Sequence, residues 1–266
     1  MKKMELKDKV VLVTGGSAGL GAEICYAAAA KGAIVVTCAR RINLIGKVKE
    51  RCEELSGKPA YAFQLDVADP ESVAACLEKV ATEVGPVDIL VNNAGFGIFE
   101  NFADFNPKDI TRMFEVNVLG MMVLTQQVVI QMLEDKRCGH VINIASMAGK
   151  MATPKSTVYS ATKFAVLGFS NALRLELKPA NIHVTTVNPG PIQTEFFDKA
   201  DPSGQYLASL GNHVLDPQKL AARIVRSMEH PVREINRPGY MEVAARFYTL
   251  FPAIGDFLAG GIFNKK

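Results

Sequence analysis

Six short runs of apolar, largely β-branched residues recur along the chain, each followed by a longer stretch. They are VVLVT (10–14), AIVVTC (33–38), AYAFQL (60–65), DILVN (88–92), HVINIA (140–145) and HVTTVN (183–188). Runs apolar throughout, separated by amphipathic stretches such as NLIGKVKERCEEL (43–55), are what a parallel sheet covered on both faces requires. The alternation predicts a doubly wound α/β fold: a mostly parallel sheet of about seven strands with helices on both faces. A seventh, shorter strand is expected near VREIN (232–236). In such a sheet ligands bind beyond the carboxyl ends of the strands, so the residues just after each run hold the chemistry.

The length of 266 residues, 48% of them hydrophobic, allows one large core. With no linker, charge block or fixed-period repeat, residues 1–266 are read as a single domain. A net charge of +3 with scattered basic residues argues against a nucleic-acid partner. The opening MKKMELKDKVVLVTG has an apolar run too short for a signal peptide, so a cytoplasmic location is expected. Five cysteines, Cys25, Cys38, Cys52, Cys76 and Cys138, lack C-x-x-C spacing and are expected to be buried thiols. The four histidines, His140, His183, His213 and His230, are far apart in sequence, so no metal site is expected.

After the first run comes TGGSAGLGAEI (14–24). A chain turning sharply from strand to helix while letting a phosphate approach its N–H groups needs glycine, and Gly15, Gly19 and Gly21 supply it. A P-loop would need Lys-Ser or Lys-Thr after the last glycine, but the sequence continues Ala22-Glu23. The second run ends CARR, where an NAD site usually places an acidic residue for the ribose hydroxyls. Ala39, Arg40 and Arg41 stand there instead. Two guanidinium groups without an adjacent carboxylate in the sequence suit a 2′-phosphate, so NADP is favoured over NAD. The plainer reading is two solvated arginines at a helix start.

In VYSATKFA (158–165), Tyr159 and Lys163 are four residues apart, which on a helix brings them to one face. An ammonium there favours the phenolate. Bringing a phenol from about 10 to about 8 takes about 2.7 kcal/mol of differential stabilisation, within reach of one close cation in a half-dry cleft.

NNAG (92–95) ends the fourth run, IASMAG (144–149) the fifth, and NPGPIQT (188–194) the sixth. Together with T-G-x-x-x-G-x-G and Y-x-x-x-K, their order and spacing resemble the short-chain dehydrogenase/reductase family, over about residues 6–195. The resemblance implies a Rossmann-like domain and reversible conversion of a carbonyl to an alcohol. It implies Tyr159 as the acid/base, Lys163 holding the nicotinamide ribose and depressing the phenol pKa, and Ser146 hydrogen-bonding the substrate oxygen. It also implies Asn117, in FEVNVLG, as support for a water-linked proton relay to the lysine. Cofactor contacts follow for Gly15, Ser17, Gly19, Leu20, Gly21, Arg40, Arg41, Asp66, Val67, Asn93, Ala94, Gly95, Tyr159, Lys163, Pro189, Gly190, Ile192 and Thr194, with one asparagine of the 92–93 pair tying strands together. One departure is Ala18, where some NADP-using relatives carry a basic residue. NADP preference then rests on Arg40 and Arg41, and use of NAD stays open.

The segment 195–215 is expected to form a substrate lid, in which Phe196, Phe197, Tyr206 and Leu207 suggest an apolar pocket for a neutral or hydrophobic ketone. The tail FYTLFPAIGDFLAGGIF (247–263) contains Pro252, Asp256 and three glycines, so it is too short and interrupted for a transmembrane span. It is expected to cover a subunit interface or the substrate mouth, with contact to a membrane surface as the second reading. The resemblance implies a homodimer or homotetramer. Three functions are carried forward: an NADP(H)-dependent carbonyl reductase, an NAD-dependent alcohol dehydrogenase, and a nucleotide-sensing protein without chemistry.

Overall fold

The structure, a computed structural model, describes residues 5–201 and 214–260. Seven strands form one sheet: β1 (Val10–Thr14), β2 (Ile34–Ala39), β3 (Tyr61–Gln64), β4 (Ile89–Asn92), β5 (Gly139–Ile144), β6 (Ile182–Pro189) and β7 (Glu234–Arg237). Their order is β3-β2-β1-β4-β5-β6-β7 and every pairing is parallel. Parallel neighbours need a crossover, and the intervening stretches supply it as helices. These are α1 (Gly19–Ala29), α2 (Ile42–Ser56), α3 (Pro70–Glu83), α4 (Pro107–Phe114), α5 (Met121–Glu134), α6 (Thr157–Leu177), α7 (Phe196–Ala200), α8 (Pro217–Glu229), α9 (Gly239–Leu250) and α10 (Pro252–Gly260).

Strand side chains alternate between two cores. Val11 and Val13 pack with Ile24 of α1, Val48 of α2 and Ile224 of α8. On the opposite face, Val10 and Leu12 pack with Val73 of α3 and Leu124 and Val128 of α5. Truncating a fully buried residue such as Leu124 to alanine removes about 2–5 kcal/mol. Several helix starts are written locally. Asp69, Asn106 and Asp216 each accept a hydrogen bond from a first-turn backbone N–H, and proline follows each in the sequence.

β1 lies between β2 and β4, so the chain crosses to opposite sides of it. The crevice above that reversal is where an open α/β sheet receives a ligand. The seventh strand starts two residues later than the sequence suggested, because Val232 and Arg233 belong to the connection that feeds backbone carbonyls to Thr185 and Thr186. Cys138 corrects a further expectation: it is exposed, just before β5, while the other four cysteines are buried.

The apolar tail is interrupted at Pro252, in line with its sequence reading. Its first residues lie inside α9, and Pro252 opens α10 rather than closing a helix, since proline's missing N–H costs nothing in a first turn. Asp256 accepts a hydrogen bond from Tyr248, which folds the two helices back on each other. The continuous helix Pro107–Glu134 is long and apolar enough to cross a membrane by length and composition, but half of its most apolar window is buried within the fold. Tyr206 and Leu207 lie outside the described residues.

Candidate active site

Above the β1–β4 reversal runs a cleft of about 400 Å³. Every candidate cofactor residue borders it: Gly15, Ser17, Gly19, Leu20, Gly21, Arg40, Arg41, Asp66, Val67, Asn93, Ala94, Gly95, Tyr159, Lys163, Pro189, Gly190, Ile192 and Thr194. Ser146 borders it as well.

At one end, β1 runs into the glycine turn. Gly15 has φ +64° and Gly19 φ +54°, both in the region that disfavours side chains. A methyl group on Gly21 would overlap the Gly15 carbonyl, so the helix start is pressed directly onto the turn. Ala18, at the N-cap of α1, makes no side-chain cap bond, and the first turn carries no acidic residue. The amides at this helix start are therefore left without a capping side chain, which suits an anionic phosphate group. The opposite wall is close: a methyl on Gly19 would lie 3.2 Å from Thr194.

The asparagine pair after β4 divides its work. Asn92 donates to Thr125 and to Asn143, both at 2.8 Å, tying β4 to α5 and β5. Asn93 donates to the carbonyls of Thr14 and Gly15 at 3.0 and 3.1 Å, holding the glycine turn. Both asparagines thus fasten strand ends, where the sequence reading assigned that role to one.

Asn117 lies in a π-helical segment, Glu115–Gly120, between α4 and α5. Such a widened turn re-aims a side chain that a regular helix would point elsewhere. Asn117 accepts from the Phe96 N–H at 3.0 Å and donates to the Phe96 carbonyl at 2.8 Å and Thr162 at 3.2 Å. It therefore grips the loop after NNAG and the helix that carries Tyr159.

Ser146, after β5, caps a single turn (Met147–Gly149) by accepting from the Ala148 N–H at 3.0 Å. Its hydroxyl points to the Pro189 carbonyl at 3.4 Å, a long bond that is readily exchanged. Tyr159 and Lys163 lie one turn apart on α6, 8% and 6% exposed. The Lys163 ammonium is 5.7 Å from the Tyr159 ring centre and donates to the Ile144 carbonyl at 2.9 Å. Burial lowers the Lys163 pKa from 10.5 to about 8. The two share one face of α6, as the four-residue spacing predicted, and that face is buried in the cleft wall.

The arginines after β2 are less bare than their sequence neighbours suggested. Arg41 donates to Ser17 at 3.0 Å and lies 3.9 Å from the carboxylate of Glu195, the N-cap residue of α7. Asp66 is held by Arg112 at 2.7 Å and by the Ala68 N–H at 3.1 Å. Burial raises the Asp66 pKa, but these bonds and the charges of Arg112 and Arg40 outweigh it and leave it lowered.

Around Tyr159 stand Phe196 and Phe197, which the sequence reading assigned to an apolar pocket, and Phe99, which it missed. Phe99 meets the Tyr159 ring edge-on at 5.8 Å, Phe196 lies 5.7 Å away, and Phe197 packs on Phe196 at 5.3 Å. Met147, Met151 and Met241 also line the cleft. Phe99 follows NNAG by four positions, a signal that was available. Met241 had none, since it arrives from α9. Among the described residues no group of three metal-ligating side chains occurs. His140 and His183, distant in sequence, become neighbours across β5 and β6 with rings 6.0 Å apart, His140 buried and His183 half-buried.

A family model described as short chain dehydrogenase matches residues 9–204. The human dehydrogenase/reductase SDR family member 7 is 35% identical over 240 residues, covering 87% of this chain and 70% of that protein. A solved short-chain dehydrogenase from Sphingobium yanoikuyae, in complex with NADPH, matches with a TM-score of 0.79 at 27% identity, over 94% of this chain and 95% of that one. A short chain dehydrogenase/reductase from Burkholderia phymatum, in complex with NAD, shares the fold with a TM-score of 0.87 at 20% identity, over 94% and 96%.

Proposed function

The chain belongs to the short-chain dehydrogenase/reductase family, and from that premise we propose that it is an NADP(H)-dependent oxidoreductase interconverting a carbonyl and a secondary alcohol on a neutral or hydrophobic small substrate. The observation that carries this reading is that Ser146, Tyr159 and Lys163 converge on the same cleft as the glycine turn. A nicotinamide dinucleotide, when bound, supplies or accepts the hydride. Its phosphates would meet the uncapped amides of α1, and its nicotinamide half the segment from Pro189 to Thr194.

The protein's part is a proton and a position. In reduction, Tyr159 gives its phenolic proton to the substrate oxygen, and the Lys163 ammonium stabilises the phenolate left behind. Ser146 turns its hydroxyl from the Pro189 carbonyl to the same oxygen and fixes it against Tyr159. Asn117 holds the Phe96 loop and Thr162, and the part assigned to it is support of a water-linked proton relay to Lys163. Phe99, Phe196, Phe197 and the three methionines supply apolar walls and exclude water, in keeping with a neutral or hydrophobic ketone.

NADP preference rests on Arg40 and Arg41, with Glu195 in competition for Arg41. The test is a fluorescence titration with NADPH and NADH on the wild type and on Arg40→Ala. Tighter NADPH binding, reduced about tenfold by the substitution, supports the assignment. Tighter NADH binding moves the reaction toward NAD-dependent alcohol oxidation, and binding of neither rejects the enzyme reading.

The exposed Val243, Leu250, Ile254 and Phe257 of α9 and α10 support assembly as a homodimer or homotetramer, read by sedimentation. A monomer that pellets with lipid vesicles would instead favour the membrane-contact reading.

A further inference from the structure

The turn after Ser146 is held from two sides. On one side a methyl group on Gly149 would sit 2.7 Å from the Lys163 carbonyl, so the turn is pressed onto α6 at the lysine itself. On the other, Lys150 extends to the Glu234 carboxylate of β7 at 2.5 Å and to the Glu242 carboxylate of α9 at 2.8 Å. All three side chains are mostly buried, at 16%, 22% and 16% exposed. A half-buried ammonium between two carboxylates is a strong constraint, because removing the cation leaves two like charges facing each other.

What the clamp joins is the wall of the cleft. Ser146, Met147 and Met151 flank Lys150 in sequence and line the cleft, and Met241 lines it from the residue before Glu242. Met241 in turn supports the nicotinamide-side loop, since a methyl on Gly190 would lie 2.8 Å from its sulfur. We propose that Lys150 is a positioning residue: by bridging Glu234 and Glu242 it fixes the Ser146 turn and the Met241 wall in the register that presents a carbonyl to Tyr159. The proposal rests on the carbonyl–alcohol reading of the site.

Other charged groups facing the clamp are known. Arg246 of α9 bonds Glu242 at 2.9 Å, and Arg233 lies 3.6 Å from Glu234. Asn236 donates to Glu234 at 3.3 Å, and Arg174 of α6 reaches the Arg233 carbonyl at 3.4 Å. Burial raises the pKa of both glutamates, and Lys150, with these neighbours, more than reverses it. Arg246 is exposed and Arg233 is largely so, so neither replaces the buried ammonium.

The test is Lys150→Met, Lys150→Arg and the double variant Lys150→Met with Glu242→Gln, assayed with NADPH against a panel of neutral ketones and aldehydes. Lys150→Met is expected to raise KM for the carbonyl about tenfold or more, with cofactor Kd within about twofold. The defect should shrink between about pH 8 and about pH 5.5, where the two carboxylates can share a proton. Glu242→Gln should relieve it at the higher pH, and Lys150→Arg should stay within about threefold of wild type. A Lys150→Met enzyme with wild-type KM, or a loss independent of pH and unrelieved by Glu242→Gln, overturns the proposal. Should Lys150→Met fail to fold, Glu242→Gln alone must raise KM, and a wild-type value rejects the clamp. Amide exchange over residues 146–153 and 239–244, corrected for intrinsic rates, reads the clamp without turnover and should rise in Lys150→Met. A wild type that turns over no carbonyl while this exchange effect appears rejects the reaction reading and leaves the clamp standing as structure alone.

Discussion

At the glycine-turn end of the cleft the walls are backbone, whereas around Tyr159 they are long side chains. Gly21 touches the Gly15 carbonyl, and Gly15 would place a methyl 2.9 Å from Ala94 Cα. Around Tyr159 the contacts are the rings of Phe99 and Phe196, and the thioethers of Met147, Met151 and Met241 line the same cleft. Backbone cannot retreat from an added atom, while a side chain can change rotamer or be exchanged for another of similar volume. One half of the cleft is therefore suited to a ligand of fixed chemistry, the other to a substrate that differs between relatives of the same fold.

The strongest test of that division lies at their junction. Tyr159→Phe removes a proton donor and leaves the ring, so turnover should fall about 10²- to 10⁴-fold with cofactor Kd nearly unchanged. Steady-state assays beside a binding titration check it, and unaltered turnover would break the assignment of Tyr159. Gly21→Ala should weaken cofactor binding at least about tenfold and lower stability by about 1–3 kcal/mol, because the methyl overlaps a carbonyl that Asn93 holds in place. Gly168→Ala is its control: no atom lies within 4 Å of the added methyl, and a helix-interior alanine should stabilise by about 0.5–1 kcal/mol. Equal outcomes in thermal melts would erase the distinction between constrained and unconstrained glycines.

A smaller effect concerns Lys163. Burial holds its pKa at about 8, so the ammonium is present below that pH and lost above it. Cofactor affinity should then weaken as pH rises from about 7 to about 9, by up to about tenfold, the size of one charge-assisted hydrogen bond to the ribose. A flat binding profile across that range would sever Lys163 from the cofactor. Smallest of all should be Phe196→Ala. It opens space beside Tyr159 and should change KM by about two- to fivefold, differently for small and bulky ketones, with cofactor binding unmoved. A large loss of cofactor binding would show the two halves to be one unit.

Much of the cofactor half was legible because it is written in short local motifs. A glycine turn has to follow a strand and open a helix, and both neighbours are visible in VVLVT and AEICYAAAA. Tyr159 and Lys163 were readable for the same reason, since helical spacing fixes their shared face. Asn117 was readable as a residue, but the π-helical turn that aims it was not, because i+4 patterning assumes a regular helix. The aromatic cage was half readable: Phe196 and Phe197 stood out as apolar residues, while Phe99 became a ring partner of Tyr159 only once the loop after β4 folded over α6.

The sequence by itself determined the strand and helix alternation, the glycine turn, and the chemistry-bearing residue types at each strand end. These depend on periodicity and backbone freedom, which act over a few residues. Only the tertiary structure decided which charges meet: Glu195 with Arg41, Arg112 with Asp66, and Lys150 with Glu234 and Glu242. Those pairs join residues separated by 46 to 154 positions, as Asp66–Arg112 and Arg41–Glu195 show. Their energies depend on distance and burial, quantities that exist only after the sheet has fixed where each strand end lies.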